Sequence, residues 1–206
     1  GTVLYKKLAK RILCTNNRVT GVELISNESY ISKYVVAACD ITQTFKELLG
    51  NNIVEKRLLD KLDTLIPSVS SFILYIGIGN PFDELPVPGT SIWHLHDGDP
   101  DRIFDFMKHA DYPFGDSYIF RVSPDRKTIV AIWFSPFKTR EFWKQNKKNI
   151  ANELLDRIKN HIPNLSKHIM YVDAATPYTL HRYTLNHKGA NYGWAPLQSQ
   201  SFDPDF

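Results

Sequence analysis

The sequence predicts an α+β protein built on a mixed, largely antiparallel sheet with helices on one face. Segments of alternating apolar residues, typical of strands, fill the beginning of the chain and much of its middle. Two of them, residues 117–122 and 128–135, are joined by the turn Pro124-Asp125-Arg126 and form an antiparallel hairpin. The helical segments each carry a single apolar stripe, which favours packing against a sheet.

The first part of the chain is predicted to be mostly β. Three apolar segments separated by polar turns are expected as strands, at residues 11–15, 19–25 and 30–38. A helix follows, with Asp40 as its N-cap, Gln43 completing a capping box and Gly50 at its end. A second helix is predicted over residues 56–66 and is stopped by Pro67.

The middle of the chain alternates between strands and helices. Strands are predicted at residues 71–79, 90–96, 117–122, 128–135 and 169–174. A short helix begins at the cap Asp99, and the longest helix covers residues 140–162, where Pro163 stops it. From Thr176 onward we expect a turn-rich tail without regular structure.

The central strands are apolar on both faces. In the first of them, Phe72 and Leu74 alternate with Ile73 and Tyr75. A sheet with one face in water shows polar residues at alternate positions, so this sheet must be covered twice. The helices can cover one face, and the other face needs a second layer or an apolar ligand. An aromatic content of 13% fits a protein that lines an apolar cavity as well as filling a core.

Composition excludes several classes of function. The net charge of +3 is spread among interspersed acids and bases, so no nucleic-acid partner is predicted. The two cysteines, Cys14 and Cys39, lie in apolar runs and are predicted to be buried free thiols in a reducing compartment such as the cytoplasm. No stretch of the sequence has the length of a membrane span.

Motifs for phosphate binding and nucleophilic catalysis are missing. Gly77-Ile78-Gly79 follows a strand, but Phe82 stands where a dinucleotide fingerprint needs its third glycine. No Gly-x-Ser-x-Gly elbow occurs, and neither cysteine has a neighbouring histidine, so no catalytic residue is assigned.

The run His94-Leu95-His96-Asp97-Gly98-Asp99 is the most metal-like part of the sequence. Two histidines two positions apart on a strand share a face, which leaves open a metal-dependent hydrolase built around His94 and His96. A zinc site needs three or four ligands, and only two are well placed here. A strand end followed by a helix cap explains the same residues, and no metal site is assigned.

Several segments together resemble the phytoene desaturase-like FAD-dependent oxidoreductases, which include carotenoid desaturases, carotenoid isomerases and retinol saturases. Late in the chain, the similarity rests on Thr176-Pro177-Tyr178-Thr179, Arg182-Tyr183 and Gly189-Ala190-Asn191-Tyr192-Gly193. Early in the chain, it rests on residues 12–24 and on Tyr34-Val35-Val36-Ala37-Ala38-Cys39-Asp40. Residues 70–77 and 162–165 also match, so the resemblance covers nearly the whole chain.

The resemblance implies a two-part architecture. Residues 1–50 and 176–206 would be β-rich parts of an FAD-binding domain, and residues 51–175 would form the substrate domain with a hydrophobic tunnel. The implied activity is dehydrogenation, saturation or isomerisation of an apolar, isoprenoid-type substrate, with FAD doing the redox chemistry. The implied partners are that substrate, the rest of the FAD-binding domain and a membrane surface contacted peripherally.

The resemblance also implies site residues. Ala9 stands where the family has an adenine-side contact, and Gly189, Tyr192 and Gly193 stand near the flavin–substrate junction. Face alternation and the aromatic tail add predicted substrate contacts, at Tyr75, Trp93, Phe120, Trp133, Phe134 and Trp194.

The family's Gly-x-Gly-x-x-Gly segment is expected before residue 1, so the chain is interpreted as a fragment that binds FAD weakly or not at all and is inactive alone. A non-catalytic module that binds a hydrophobic ligand is the alternative.

Overall fold

The computed structural model describes residues 1–50, 52–95, 98–99, 101, 105 and 115–201. Its helices and antiparallel sheets confirm the α+β class. The chain forms two compact units: unit 1 contains Gly1–Pro67, Leu185–His187 and the segment from Gly193 on, and unit 2 contains Ser68–Thr184 with Lys188–Tyr192. The division into a cofactor domain and a substrate domain stays a prediction.

Unit 1 contains a three-stranded antiparallel sheet. Its strands are β1 (Ala9–Thr15), β2 (Arg18–Leu24) and β3 (Ser29–Ile31), in that order. The prediction of a strand over residues 30–38 is wrong beyond Ile31. The Ser32 N–H still donates to the Thr20 carbonyl of β2 at 3.0 Å, but residues 33–38 pair with no strand in the described part of the chain, and Val36 is 91% exposed. A β-branched run forms a strand only where a neighbour supplies hydrogen bonds.

The buried carboxylate of Asp40 fixes the start of the first helical segment, as predicted. Its Oδ1 accepts hydrogen bonds from the backbone N–H groups of Thr42 (2.9 Å) and Gln43 (3.1 Å). Its Oδ2 accepts the N–H of His187 at 2.9 Å, which ties a distant part of unit 1 to the same side chain. The segment Gln43–Leu49 is a π-helix and ends at Gly50, which has a φ of 79°.

Replacing Asp40 by alanine is expected to lower the free energy of unfolding of unit 1 by about 2 kcal/mol, because a helix cap is lost and a third donor loses its acceptor. Asp40→Asn keeps one acceptor oxygen and is expected to cost about half as much. Urea denaturation followed by circular dichroism measures both. An alanine variant as stable as the parent would mean that Asp40 does not hold these segments together.

The remaining element of unit 1 described before Pro67 is helix α1 (Lys56–Thr64). It ends two residues before the predicted end because Leu65 is already extended, with a ψ of 138°. Both cysteines are free thiols, but Cys39 is exposed and Cys14 only partly buried, so the prediction that they are buried is wrong. Cys39 lies next to the unpaired residues 33–38, which explains its exposure.

Unit 2 is built on a five-stranded sheet in which every neighbouring pair is antiparallel. Its strands in spatial order are β5 (Ser91–His94), β6 (Tyr118–Val122), β7 (Thr128–Ser135), β4 (Ser70–Ile78) and β8 (Ile169–Ala175). The predicted hairpin between β6 and β7 is confirmed, with Val122 opposite Ile129. Gly77 lies inside β4, which agrees with the rejection of a phosphate loop there.

Helix α2 (Arg140–His161) packs on one face of this sheet. Its buried residues and those of the sheet together form the hydrophobic core of unit 2. The Thr139 hydroxyl caps the helix by accepting the Phe142 N–H at 3.2 Å. The apolar stripe of α2 contributes the buried residues Trp143, Ile150, Leu154 and Ile158. The start and length of this helix agree with the sequence prediction because its stripe is long and regular.

The predicted turn-rich tail is wrong over its first part, because Pro177–Thr184 is a helix, α3. The Thr176 hydroxyl accepts the Thr179 N–H at 3.1 Å, and proline occupies the first helical position. This arrangement is a standard helix start. A short helix α4 (Gln198–Ser201) lies in unit 1. The short helix predicted from Asp99 lies mostly outside the described residues.

None of the helices in the described ranges combines the length and the hydropathy needed to cross a lipid bilayer.

Candidate apolar binding face

The two faces of the five-stranded sheet differ in how far they are covered. On the face that packs against α2, alternate residues such as Phe72, Leu74 and Trp133 are fully buried. The intervening residues of β4 and β7 are also apolar but only partly buried: Ile73, Tyr75, Val130, Ile132 and Phe134. We call this second side the open face. Its side chains are as apolar as a core, yet water still reaches them.

Strand register aligns apolar side chains across the open face. Trp93 on β5 is opposite Ile119, Ile119 is opposite Ile132, Ile132 is opposite Ile73, and Ile73 is opposite Ala175 on β8. These five residues form the apolar row. Neighbouring strands lie about 4.8 Å apart, so the row is about 19 Å long. Trp93, at one end, is 60% exposed. The row therefore offers a long, narrow apolar strip.

A second row of residues runs beside the apolar row. The next row of the open face places Tyr75 between Val130 on β7 and Asp173 on β8. Arg121 lies at the other side of Val130 and is exposed. The Ala174 N–H and then Lys147 hold the pKa of the Asp173 carboxyl below its usual value, so it is charged at neutral pH. Charged residues thus stand at the two ends of this second row, whose centre is Val130 and Tyr75.

Tyr171 covers the part of the open face next to Gly77, near the end of β4. It is opposite Gly77 in the register, and its ring lies over that glycine. A Cβ atom at position 77 would be 2.1 Å from Cε1 of Tyr171, so only glycine allows this placement. The ring is still 57% exposed. Gly77 therefore has a packing role.

The segment Lys188–Tyr192 is tied to the start of β4. The Ser70 hydroxyl donates to the Gly189 carbonyl at 2.6 Å, and Asn191 Nδ2 donates to the Ser71 hydroxyl at 2.7 Å. Gly189 has a φ of 62°, and a Cβ there would lie 2.3 Å from the Pro177 carbonyl oxygen. Glycine at this position is thus required by contacts within unit 2. Tyr192, in contrast, is 76% exposed.

The predicted substrate contacts divide between the two faces. Tyr75, Trp93 and Phe134 lie on the open face. Phe120 and Trp133 lie on the opposite face and are core residues, because they pack beneath α2 and are almost fully buried. The predicted contacts are all aromatic, so they do not include the aliphatic members of the row: Ile73, Ile119 and Ile132. Their alternation with core residues was the signal that could have found them.

The remaining predicted contacts lie elsewhere. Ala9 is in β1 of unit 1, and Gly193 and Trp194 also belong to that unit, whereas Gly189 and Tyr192 belong to unit 2. Trp194 pairs with Pro67 in an isolated bridge, and its ring lies 5.4 Å from that of His187. Gly193 has a φ of 71° and no atom within 4 Å of where its Cβ would stand. Flavin contacts at these positions stay a prediction.

His94 belongs to an aromatic cluster on the α2 side of the sheet. Its ring stacks on Tyr118 with 4.8 Å between centroids, and the Tyr118 hydroxyl lies 2.7 Å from His161 Nε2. Burial raises the pKa of Tyr118; burial and then the nearby His94 lower the pKa of His161. His96 and Asp97 lie outside the described residues. Among those described, no three His, Cys, Asp or Glu side chains come together as a metal site.

Comparisons with known proteins agree with the resemblance seen in the sequence. No family model matches the chain. It is 26% identical over 215 residues to 4,4'-diaponeurosporene oxygenase of Staphylococcus aureus (strain MW2), covering 90% of this chain and 41% of the relative. It is 21% identical over 210 residues to the enzyme of the same name from Staphylococcus haemolyticus (strain JCSC1435), covering 91% of this chain and 41% of that relative.

Among solved structures, an oxidoreductase from Methanosarcina mazei matches with a TM-score of 0.41 and 14% identity, over 82% of this chain and 36% of that one. The chain spans about two fifths of the length of the curated relatives it matches. The relatives support a distant relationship to carotenoid oxidoreductases.

Proposed function

We propose that the open face of unit 2 binds an elongated apolar molecule of the carotenoid type, and that the chain is part of an oxidoreductase acting on it. The observation that carries this proposal is the apolar row. Five side chains line up across all five strands on a sheet whose other face already packs against α2. Apolar residues left partly in water on one side of a sheet are stabilised by an apolar ligand that displaces this water.

The shape of the open face fits a linear molecule. The row runs perpendicular to the strands, and the adjacent row carries Arg121 and Asp173 at its two ends. A polyene lying along the row would contact Trp93, Ile132 and Ala175 in turn. At the two ends of the adjacent row, an apolar chain would have to desolvate Arg121 and Asp173, which disfavours its displacement there.

The relatives support the reaction class. Proteins named 4,4'-diaponeurosporene oxygenases resemble this chain over nine tenths of its length, at 21–26% identity. An elongated carotenoid-type substrate agrees with an apolar row about 19 Å long. The redox step itself, whether dehydrogenation, saturation or isomerisation, is implied by the resemblance alone.

FAD is the cofactor that this proposal requires, and it would supply hydride acceptance or donation when bound. The sequence has no Gly-x-Gly-x-x-Gly loop of the kind that holds a dinucleotide pyrophosphate at a helix N-terminus, and Gly189 is occupied by contacts within unit 2. The open backbone at Gly193 is compatible with a flat ring nearby. This chain's own contribution is therefore to bind and orient the substrate.

Purified as these 206 residues, the protein is expected to bind no stoichiometric FAD at micromolar concentration, because the main anchor for the diphosphate is missing from its sequence. Gel filtration after incubation with excess FAD, with absorbance read at flavin and protein wavelengths, measures the ratio. Free riboflavin serves as the control for binding through the ring alone. A yellow protein with one FAD per chain would contradict this expectation.

Saturable binding of 4,4'-diaponeurosporene by the same protein tests the substrate proposal directly. The alternative of a non-catalytic module for apolar ligands predicts the same binding, because this chain alone is expected to be inactive in either case. Failure to bind the polyene would contradict the proposed substrate.

A further inference from the structure

A concave site in unit 2 lies between α2 and α3. Four of its residues, Tyr178, Thr179, Arg182 and Tyr183, belong to segments that carry the resemblance, but no ligand of this groove is implied there. Its volume is about 400 Å³. Eight residues line it: Arg140, Trp143, Lys144, Lys147, Tyr178, Thr179, Arg182 and Tyr183. We call it the basic groove. Both helices that form it belong to the same compact unit, so the groove is a feature of that unit alone.

The charge of the basic groove is of one sign. Among the described residues, its lining contains four cations and no carboxylate. Arg140, Lys144 and Lys147 recur at helical spacing on one side of α2, where like charges three and four positions apart repel each other. Arg182 reaches the groove from α3, with its guanidinium 5.5 Å from the centre of the Tyr183 ring. A mutually repelling arrangement of this kind attracts an anion.

Protein carboxylates neutralise little of this charge. Lys147 Nζ lies 3.2 Å from Asp173 Oδ1. This ion pair is exposed to water, and such pairs contribute little to stability. Within the described ranges, neither Arg140 nor Lys144 has a carboxylate partner. The positive end of the α2 dipole lies at the same place, since Arg140 is its first residue. The groove therefore retains a net positive potential.

Aromatic side chains add an apolar surface to the groove. Tyr183 supplies most of this surface, since it is 76% exposed, whereas Trp143 is 4% exposed and belongs to the core. Tyr178 also lines the groove and packs against the core. A small inorganic anion would use only the cations. A phosphate ester would use both features, with its anion among the cations and its organic part against the tyrosines.

We propose that the basic groove binds a phosphate-bearing anion. The shared chemistry is a phosphate group held by Arg140, Lys144 and Arg182. This chemistry could come from a free phosphate compound or from the headgroup of an anionic lipid. The proposal is independent of polyene binding, because the apolar row and the groove share no residue.

Two probes distinguish the sources: sodium diphosphate, titrated by calorimetry, and vesicles of phosphatidylglycerol, assayed by co-sedimentation against vesicles of phosphatidylcholine. The test variant is the double substitution Lys144→Gln with Arg182→Gln. The matched control is Lys148→Gln with Lys159→Gln, which removes the same charge from positions on α2 outside the groove.

For whichever probe the parent protein binds, the test variant is expected to bind at least tenfold more weakly than the parent. The control variant is expected to bind at most twofold more weakly. A response to diphosphate indicates a free phosphate compound, and a response to phosphatidylglycerol alone indicates a lipid headgroup; either supports the proposal. Equal weakening by both double variants would show non-specific attraction and overturn it. Absence of binding by the parent protein to both probes would also overturn it. Circular dichroism of each variant verifies that α2 is intact.

Discussion

Replacing Trp133 by alanine is expected to lower the free energy of unfolding of unit 2 by about 3–5 kcal/mol. Trp133 is fully buried and lies directly opposite Phe72 in the sheet. Its Nε1 donates to the Gly115 carbonyl at 3.2 Å, and the Arg157 guanidinium lies 5.0 Å from its ring centre. The substitution leaves a cavity and removes both polar contacts. Urea denaturation of unit 2, followed by near-ultraviolet circular dichroism, measures the loss.

Trp93→Ala is the matched control for this experiment. The residue type is the same, but Trp93 is 60% exposed and lies on the open face. Its replacement is expected to cost less than about 1 kcal/mol of stability. Trp133→Phe keeps most of the ring volume, so it is expected to lower the free energy of unfolding less than Trp133→Ala does. Equal losses at positions 93 and 133 would contradict the distinction between core face and open face.

The double substitution Ile73→Ala with Ile132→Ala is expected to weaken binding of 4,4'-diaponeurosporene about thirtyfold. The two side chains are neighbours at the centre of the apolar row. Each loses roughly 1 kcal/mol of apolar contact with the ligand, and about 1.4 kcal/mol corresponds to a tenfold change in affinity. Titration followed by the absorbance of the polyene measures the dissociation constant.

A matched control removes two apolar side chains from other exposed positions of unit 2. Val87 and Met170 are 71% and 74% exposed, and neither belongs to the apolar row. Val87→Ala with Met170→Ala is expected to leave the affinity within twofold of the parent. If this control weakens binding as much as the row variant does, the polyene is held by general hydrophobicity and the row is not its site.

Much of the sheet could be predicted because its signals are local. The alternation at positions 72–75 places two sets of side chains on opposite faces whatever the neighbours are, and the turn at Pro124 dictates an antiparallel hairpin. The start of α2 is set by its own cap and stripe. These features depend on residues close in sequence, so they can be predicted without knowledge of the tertiary structure.

Features that depend on distant partners could not be predicted. The run after Ile31 has high β propensity, yet the described residues provide no strand beside it. Which face of the sheet α2 would cover was also undetermined, so Tyr75 and Trp133 could not be separated into open face and core. The helix that begins at Pro177 does not depend on distant partners. Thr176 and Pro177 are a local signal for its start, but the segment is rich in aromatic residues and threonine, which have low helix propensity, so no helix was predicted.

Intermolecular nuclear Overhauser effects between 4,4'-diaponeurosporene and isoleucine δ1-methyl groups test the central claim most directly. We expect contacts to Ile73, Ile119 and Ile132 on the open face, and none to the core residues Ile129 of β7 and Ile150 and Ile158 of α2. Contacts to the second group, or a bound polyene without contacts to the first, would contradict binding along the apolar row.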